Sequence, residues 1–404
     1  MNNIKIRENF PQLQTKVNDR TLVYLDNAAT TLKPKSVIDS LSHYYSFEVA
    51  NVHRGVHSLS ENGTKHFEAT RTHVAKFINA KFDHEVIYTK GTTESLNLLA
   101  QTFGKKYLRS GDEILISMLE HHSNIVPWQM IAENTGASLK VIPINLQGEI
   151  DLDAYEKLLN SKTKIVSIAH VSNALGTINP IKKMIQMAHA KGAKFCVDAA
   201  QSVAHLRIDV QDLDCDFLAF SAHKIMGPNG LGFLYGKEEL LNDMPPYQGG
   251  GAMISEVTFE KTTYNVLPNK FEAGTPAIAE VIAFKKSIEY IESVGIDYIE
   301  RIEHDLLDYA TRKLKEIAGV RILGEAKEKS AVISFVIDDI HPHDLGVILD
   351  KEGVAIRTGH HCTQPLLKFF GVTSTARASF AFYNTVEEID VFINALNKAI
   401  NFLK

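Results

Sequence analysis

Residues 194–202 read KFCVDAAQS, a short apolar run from Lys194 to Val197 that stops on an acid, Asp198. A run this brief, aromatic and β-branched, reads as a buried strand. Ahead of it, Ile181 to Lys191 sets Ile181, Met184, Ile185 and Ala188 at spacings of three and four, one face of a helix. Behind it, DFLAF (216–220) is a second such run. Working outward, EVIYT (85–89), EILIS (113–117) and KIVSIA (164–169) repeat the pattern. Strands alternating with helices predict an α/β fold with a largely parallel sheet covered on both faces. Such sheets gather ligands at the carboxyl ends of their strands, so chemistry is to be sought just after each run.

The rest of the composition narrows the class. At 404 residues, 45% hydrophobic and 23% charged, the chain is globular, long enough for one large and one smaller domain. Lys and Arg number 43 against 48 Asp and Glu, a net charge of −5, which offers no surface for nucleic acid. No apolar run approaches a membrane span, and Met1 to Phe10 lacks a signal-peptide stretch. Three cysteines, Cys196, Cys215 and Cys362, fit a reducing compartment. The expectation is a cytoplasmic enzyme with no membrane partner. Towards the C-terminus a helix is predicted to open with Thr275 as its N-cap and Pro276 in its first turn, and to stop at Gly295. After the strand-like stretch Ala331 to Ile337, Thr385 and Glu388 form a capping-box pattern before the final apolar stripe.

Four places carry chemistry. Asp198 leaves a buried strand and needs a cation or several donors; a pyridinium nitrogen is one such cation, though a helix cap is an equal account on this residue alone. Lys224, in FSAHKIMGP, also follows a strand and becomes a Schiff-base nucleophile if neighbours lower its pKa; alone it reads as a solvated loop lysine. In KGTTES (90–95), Gly91 lets the chain turn while Thr92 and Thr93 offer hydroxyls at a helix start, a seat for phosphate that Ser221 and His223 complete. A plain helix cap is the other account, and neither a Walker loop nor a GxGxxG motif is present. In EHHSN (120–124), His121 suits ring stacking or proton transfer, whereas adjacent histidines point apart and make a poor chelate. In RTGHHC (357–362), a protonated imidazole beside Cys362 would favour its thiolate. Cys196 lies within a strand and Cys215 among carboxylates, so Cys362 is the candidate nucleophile. A structural loop, or a His-His-Cys metal site lacking its fourth ligand, are the alternatives.

Taken together, TTE (92–94), EHHSN, VDAAQ (197–201), SAHK (221–224) and RTGHHC resemble the group II, or Suf-type, cysteine desulfurases of the class V aminotransferase group. The resemblance runs from LDNAAT (25–30) through RASFAFYNT (377–385). It implies a fold-type I transferase dependent on pyridoxal 5'-phosphate (PLP), with a large domain over 21–294 built on a mainly parallel seven-stranded sheet. A smaller α+β domain over 295–404, joined by segment 1–20, and a homodimer are implied as well. Residue by residue, it assigns Lys224 to the covalent bond with PLP, Asp198 to the pyridinium nitrogen, Gln201 to the phenolic oxygen and His121 to stacking and proton transfer. Thr93, Ser221 and His223 hold the phosphate, with Thr275 reaching in from a second subunit. Arg377 clamps the substrate carboxylate near Asn173, and Cys362 attacks sulfur. No metal is implied. The implied reaction converts L-cysteine to L-alanine and a Cys362 persulfide, with L-selenocysteine also accepted. The sulfur passes to an acceptor protein of the SufE or SufU kind for iron–sulfur cluster assembly. Thr363 and Ala222 depart from the alanine and glycine frequent in the family. A cofactor-free sulfur carrier or metal-binding scaffold using His360, His361 and Cys362 is the rival; it leaves Asp198 and Lys224 without a purpose.

Overall fold

All five apolar runs are strands of a single sheet in the computed structural model, which describes residues 3–404. Across the sheet the order is Val86–Thr89, Gly232–Gly236, Phe217–Ser221, Lys194–Asp198, Thr163–Ala169, Glu113–Ser117 and Ser138–Ile142. Gly232–Gly236 runs antiparallel to both its neighbours, and the pairings from Phe217–Ser221 outward are parallel. The fold is therefore α/β with a mainly parallel seven-stranded sheet. Side chains alternate across it, so Phe195 and Val197 enter one apolar core while Cys196 between them enters another.

Two strands have no strong periodic signal in the sequence. Ser138–Ile142 lies at the sheet edge and buries only Ile142. Gly232–Gly236 is three apolar residues between glycines, and the first glycine has a steric purpose. A Cβ on Gly232 would stand 2.3 Å from the Gly91 Cα, so the two backbones touch where the strand passes the start of helix Thr92–Leu99.

The helix predicted from Thr275 begins later, as Ile278–Val294, with Ala277 at its cap position and no side-chain cap. Gly274 (φ +85°) and a bond from the Ile278 N–H back to Pro276 O hold the preceding residues in tight turns, and helical bonding starts with Val281 N–H to Ala277 O. Thr275 is thus a loop residue. The stop at Gly295 (φ +90°) is where expected, and Ile296–Lys315 follows directly. A four-stranded antiparallel sheet then forms in the order Val320–Leu323, Val332–Ile337, Thr375–Ser379, Arg357–Gly359. It packs with the final helix, Val386–Leu403, around a core that includes Phe335, Phe392 and Leu396. Thr385 and Glu388 cap that helix reciprocally, at 3.2 and 3.1 Å. Val23 and Leu25 join the same core, and Val23–Tyr24 pairs in parallel with Val354–Ala355. That pair is separate from the four-stranded sheet, and Ile6, Phe10 and Leu13 ahead of it lie in the core of the larger sheet. Among the described residues, no helix is long and apolar enough to cross a membrane.

Candidate active site

The carboxyl ends of the parallel strands and one edge of the smaller sheet enclose a cavity of about 220 Å³. Thr93 follows the first strand, His121 the second, Asn173 the fourth; Asp198 ends the fifth, and Ser221, His223 and Lys224 close the sixth. Gln201, Arg377 and Cys362 complete its lining, so ten of the eleven residues singled out in the sequence meet in one place. Thr275 does not: it borders a separate cavity of about 590 Å³ with Arg54, Glu94 and Gly274.

Burial sets the charges. The Asp198 carboxylate is 4% exposed and accepts the Ala200 N–H at 2.9 Å. Loss of water raises its pKa, against the pull of the Ala200 N–H and the Lys224 ammonium. Lys224 is lowered to about 8, chiefly by the same loss of water, with Asp198 opposing. His121 falls to about 3 through burial and then the Lys224 charge, so the ring is neutral. The Ser123 N–H donates to its Nδ1 at 3.1 Å, which leaves the ring proton on Nε2. His223 is held down to about 4 by burial, Lys224 and Lys33. At the helix start, Gly91 (φ +155°) turns the chain so that the Thr92 N–H donates to Ser221 Oγ at 2.8 Å.

Arg377, 2% exposed, donates to Asn173 O at 2.9 Å and to Asp26 Oδ1 at 3.1 Å, while its Nε is buried without a partner. Desolvation lowers its pKa to about 10, with Asp26 opposing, so it stays a cation. Asp26 also lies 3.6 Å from Arg357, which pairs across the strands with Arg377. Sequence reasoning gave Asp26 no role, yet it follows an apolar run, LVYLD, just as Asp198 does. Glu120 was missed too. It is fully buried behind His121, accepts from Asn124 Nδ2 at 2.6 Å and the Ala169 N–H at 2.9 Å, and burial pushes it up to about 8.

The Cys362 loop is bent and braced. His361 (φ +50°) and Cys362 (φ +57°) are consecutive left-handed residues, a strained backbone for L side chains. Four contacts hold it. Asn173 Nδ2 donates to His361 O, the His122 N–H donates to Cys362 O, and His361 Nε2 meets Thr375 Oγ1, each at 2.8 Å. The Gln364 N–H reaches His122 Nε2 at 3.2 Å, which gives the second of the adjacent histidines a structural task apart from the first. His361 is not the protonated imidazole expected beside the thiol. His361 is 5% exposed and lowered to about 3 by burial, and His360 uses its Nδ1 to accept the Cys362 N–H at 3.1 Å. The other two cysteines are fully buried; burial pushes both thiols far up, and for Cys215 the Asp216 carboxylate adds to it. Among the described residues no group of three His, Cys, Asp or Glu side chains is placed to hold a metal ion.

Such a cavity can seat a flat anionic cofactor and an amino acid, with an amine, a neutral imidazole and a thiol around them. The class-V aminotransferase family matches residues 23–392. The cysteine desulfurase of Synechococcus elongatus is 50% identical over 98% of this chain, and the probable cysteine desulfurase of Mycolicibacterium paratuberculosis is 49% identical over 97%. The chain spans only 63% and 57% of the length of those two relatives. It spans 98% of the probable cysteine desulfurase of Halalkalibacterium halodurans, at 48% identity. The crystal structure of the Escherichia coli cysteine desulfurase CsdA superimposes with a TM-score of 0.94 over the whole of both chains, at 40% identity. The chain belongs to the class-V aminotransferase family, among its cysteine desulfurases.

Proposed function

We propose that this protein removes sulfur from L-cysteine with PLP, and the observation that carries the reading is that Asp198, Lys224 and Cys362 line one cavity. The donor set fits the cofactor. Asp198 is a desolvated carboxylate whose raised pKa a pyridinium N–H would relieve. Lys224 would supply the amine that bonds the cofactor, Gln201 would hold its phenolic oxygen, and Thr93, Ser221 and His223 would hold the phosphate, with Thr275 of a second copy completing that seat. When bound, PLP supplies an electron sink that makes the Cα proton of an amine substrate acidic.

The chain's own groups do the rest. The orphaned Arg377 Nε, beside Asn173, takes the substrate carboxylate. Lys224, with a pKa near neutrality, accepts and returns the Cα proton at Nζ. His121, neutral with its proton on Nε2, would stack on the cofactor ring and donate where charge develops. Cys362 gives up its thiol proton and its Sγ attacks the substrate sulfur; the S–S bond forms as the Cβ–S bond breaks, and the electron pair left on Cβ takes up a proton, giving L-alanine and a persulfide on the loop.

The finer assignments belong to the same proposal. The short, braced loop around Cys362 favours the Suf-type group, in which the persulfide waits for an acceptor protein of the SufE or SufU kind and serves iron–sulfur cluster assembly. L-Selenocysteine is a second substrate, because a selenol leaves more readily than a thiol. The working form is a cytoplasmic homodimer. An absorbance spectrum before and after adding L-cysteine, with alanine and persulfide measured together, tests the reading. Cys362→Ser keeps the cofactor band and loses alanine formation from cysteine; full turnover in that variant sinks the nucleophile assignment, and its activity on selenocysteine separates the two substrates.

A further inference from the structure

The carbonyl of His223, the residue before Lys224, takes no bond from its own turn, because the Ile225 and Gly227 N–H groups both close on Ala222 O. Four donors from a single distant segment converge on it instead. The Thr31 N–H lies at 3.1 Å, Thr30 Oγ1 at 3.0 Å, Thr31 Oγ1 at 3.2 Å and Lys33 Nζ at 2.9 Å. A carbonyl oxygen has two lone pairs, so four donors including an ammonium make an exceptional grip. On the other side of Lys224, the Met226 N–H donates to Thr31 Oγ1 at 2.7 Å. One hydroxyl therefore holds the backbone before and after the lysine. Lys33 itself is half-buried and donates only to neutral oxygens (Thr30 Oγ1, Thr31 O and His223 O), and desolvation lowers it to about 8. An ammonium kept there without a carboxylate partner is costly unless its position matters.

The same segment is anchored at its back to the strand that bears Arg377. The Ala28 N–H donates to Ser379 Oγ at 2.9 Å, and the Leu32 N–H to Tyr383 Oη at 3.1 Å. It forms a strap between the substrate clamp and the base.

We infer that Lys33, together with Thr30 and Thr31, is a positioning residue for Lys224, fixing the lysine's backbone relative to Arg377 through the His223 carbonyl. The inference rests on the function proposed above. It is tested in the holoenzyme with Lys33→Met and Lys33→Arg, each measured for kcat and KM with cysteine and for the rate of borohydride trapping of the cofactor, mapped to its peptide. Lys33→Met should lose about ten- to a hundredfold in kcat, the cost of misplacing a reacting group by about an ångström, with KM changed far less and trapping at Lys224 altered. Lys33→Arg should recover a large part of both. Should Lys33→Met fail to fold, Thr30→Val removes one of the four donors and is expected to show the same kcat loss and altered trapping, at smaller size. Unchanged kcat and trapping in the variant that folds overturn the inference, as does an equal loss in Met and Arg variants that simply tracks thermal stability. Trapping on a lysine other than Lys224 in the unsubstituted protein overturns the active-site assignment itself, whereas trapping on Lys224 with indifferent strap variants overturns the strap alone.

Discussion

Two guanidiniums, Arg357 and Arg377, face each other across adjacent strands, and Asp26 stands between them. Remove its charge and the pair repels while Arg377 loses the bond that orients it. Asp26→Asn should therefore raise KM for cysteine by about tenfold, the loss of one charge-assisted hydrogen bond, with a smaller effect on kcat. Steady-state kinetics decide it, and an unchanged KM would show that the Asn173 carbonyl and packing hold Arg377 without Asp26. Single residues were legible in the sequence when they ended an apolar run, as Asp198 and Lys224 do. Lys33 and Glu120 were not, because nothing local distinguishes them. Lys33 sits in TTLKP, which reads as a polar loop, and Glu120 reads as a surface acid until Ala169 and Asn124 from other segments close over it.

Elements were readable in proportion to their burial. Glu113–Ser117, apolar and paired on both sides, has the limits that its sequence predicts, and the Thr385–Glu388 pattern caps the final helix as expected. Where tertiary contact decides, the sequence pattern failed. Pro276 suggested a helix start, yet the bond it accepts from Ile278 delays the helix, and Gly232 carried no signal although its lack of a side chain is what lets the strand pass. Gly232→Ala tests that last point. Its new Cβ would meet Gly91 backbone atoms at 2.3 to 2.7 Å, with no side chain able to swing away. We expect a stability loss at or above the usual overpacking range of about 1–3 kcal/mol, together with loss of the cofactor band, since Gly91 begins the phosphate-side helix. A variant that folds with normal stability and full cofactor binding contradicts this account.

At the scale of the whole molecule, the cavity stores neutral imidazoles. His121 and His361 are lowered to about 3 and His223 to about 4 in the folded chain, against an ordinary value of 6.5. Between about pH 6.5 and about pH 4 the unfolded chain binds protons at these three rings that the folded chain refuses; Glu120, raised to about 8, works the other way, but three imidazoles outweigh one carboxyl, and stability falls as pH falls through that window. Urea midpoints of the cofactor-free protein should drop from about pH 7 to about pH 5, above the range where most carboxylates titrate, and His361→Gln should flatten the slope. A midpoint constant over that interval refutes the prediction. The parallel pairing of Val23–Tyr24 with Val354–Ala355, and the Asp26–Arg377 bond across 351 positions, have a consequence for biosynthesis. Translation delivers the amino end first, so Val23–Tyr24 and Asp26 are made long before Val354–Ala355 and Arg377, the groups they pair with. Until Thr375–Ser379 has been made, Asp26 has no Arg377 to bond, so that wall of the cavity closes only after every strand of the larger sheet has left the ribosome.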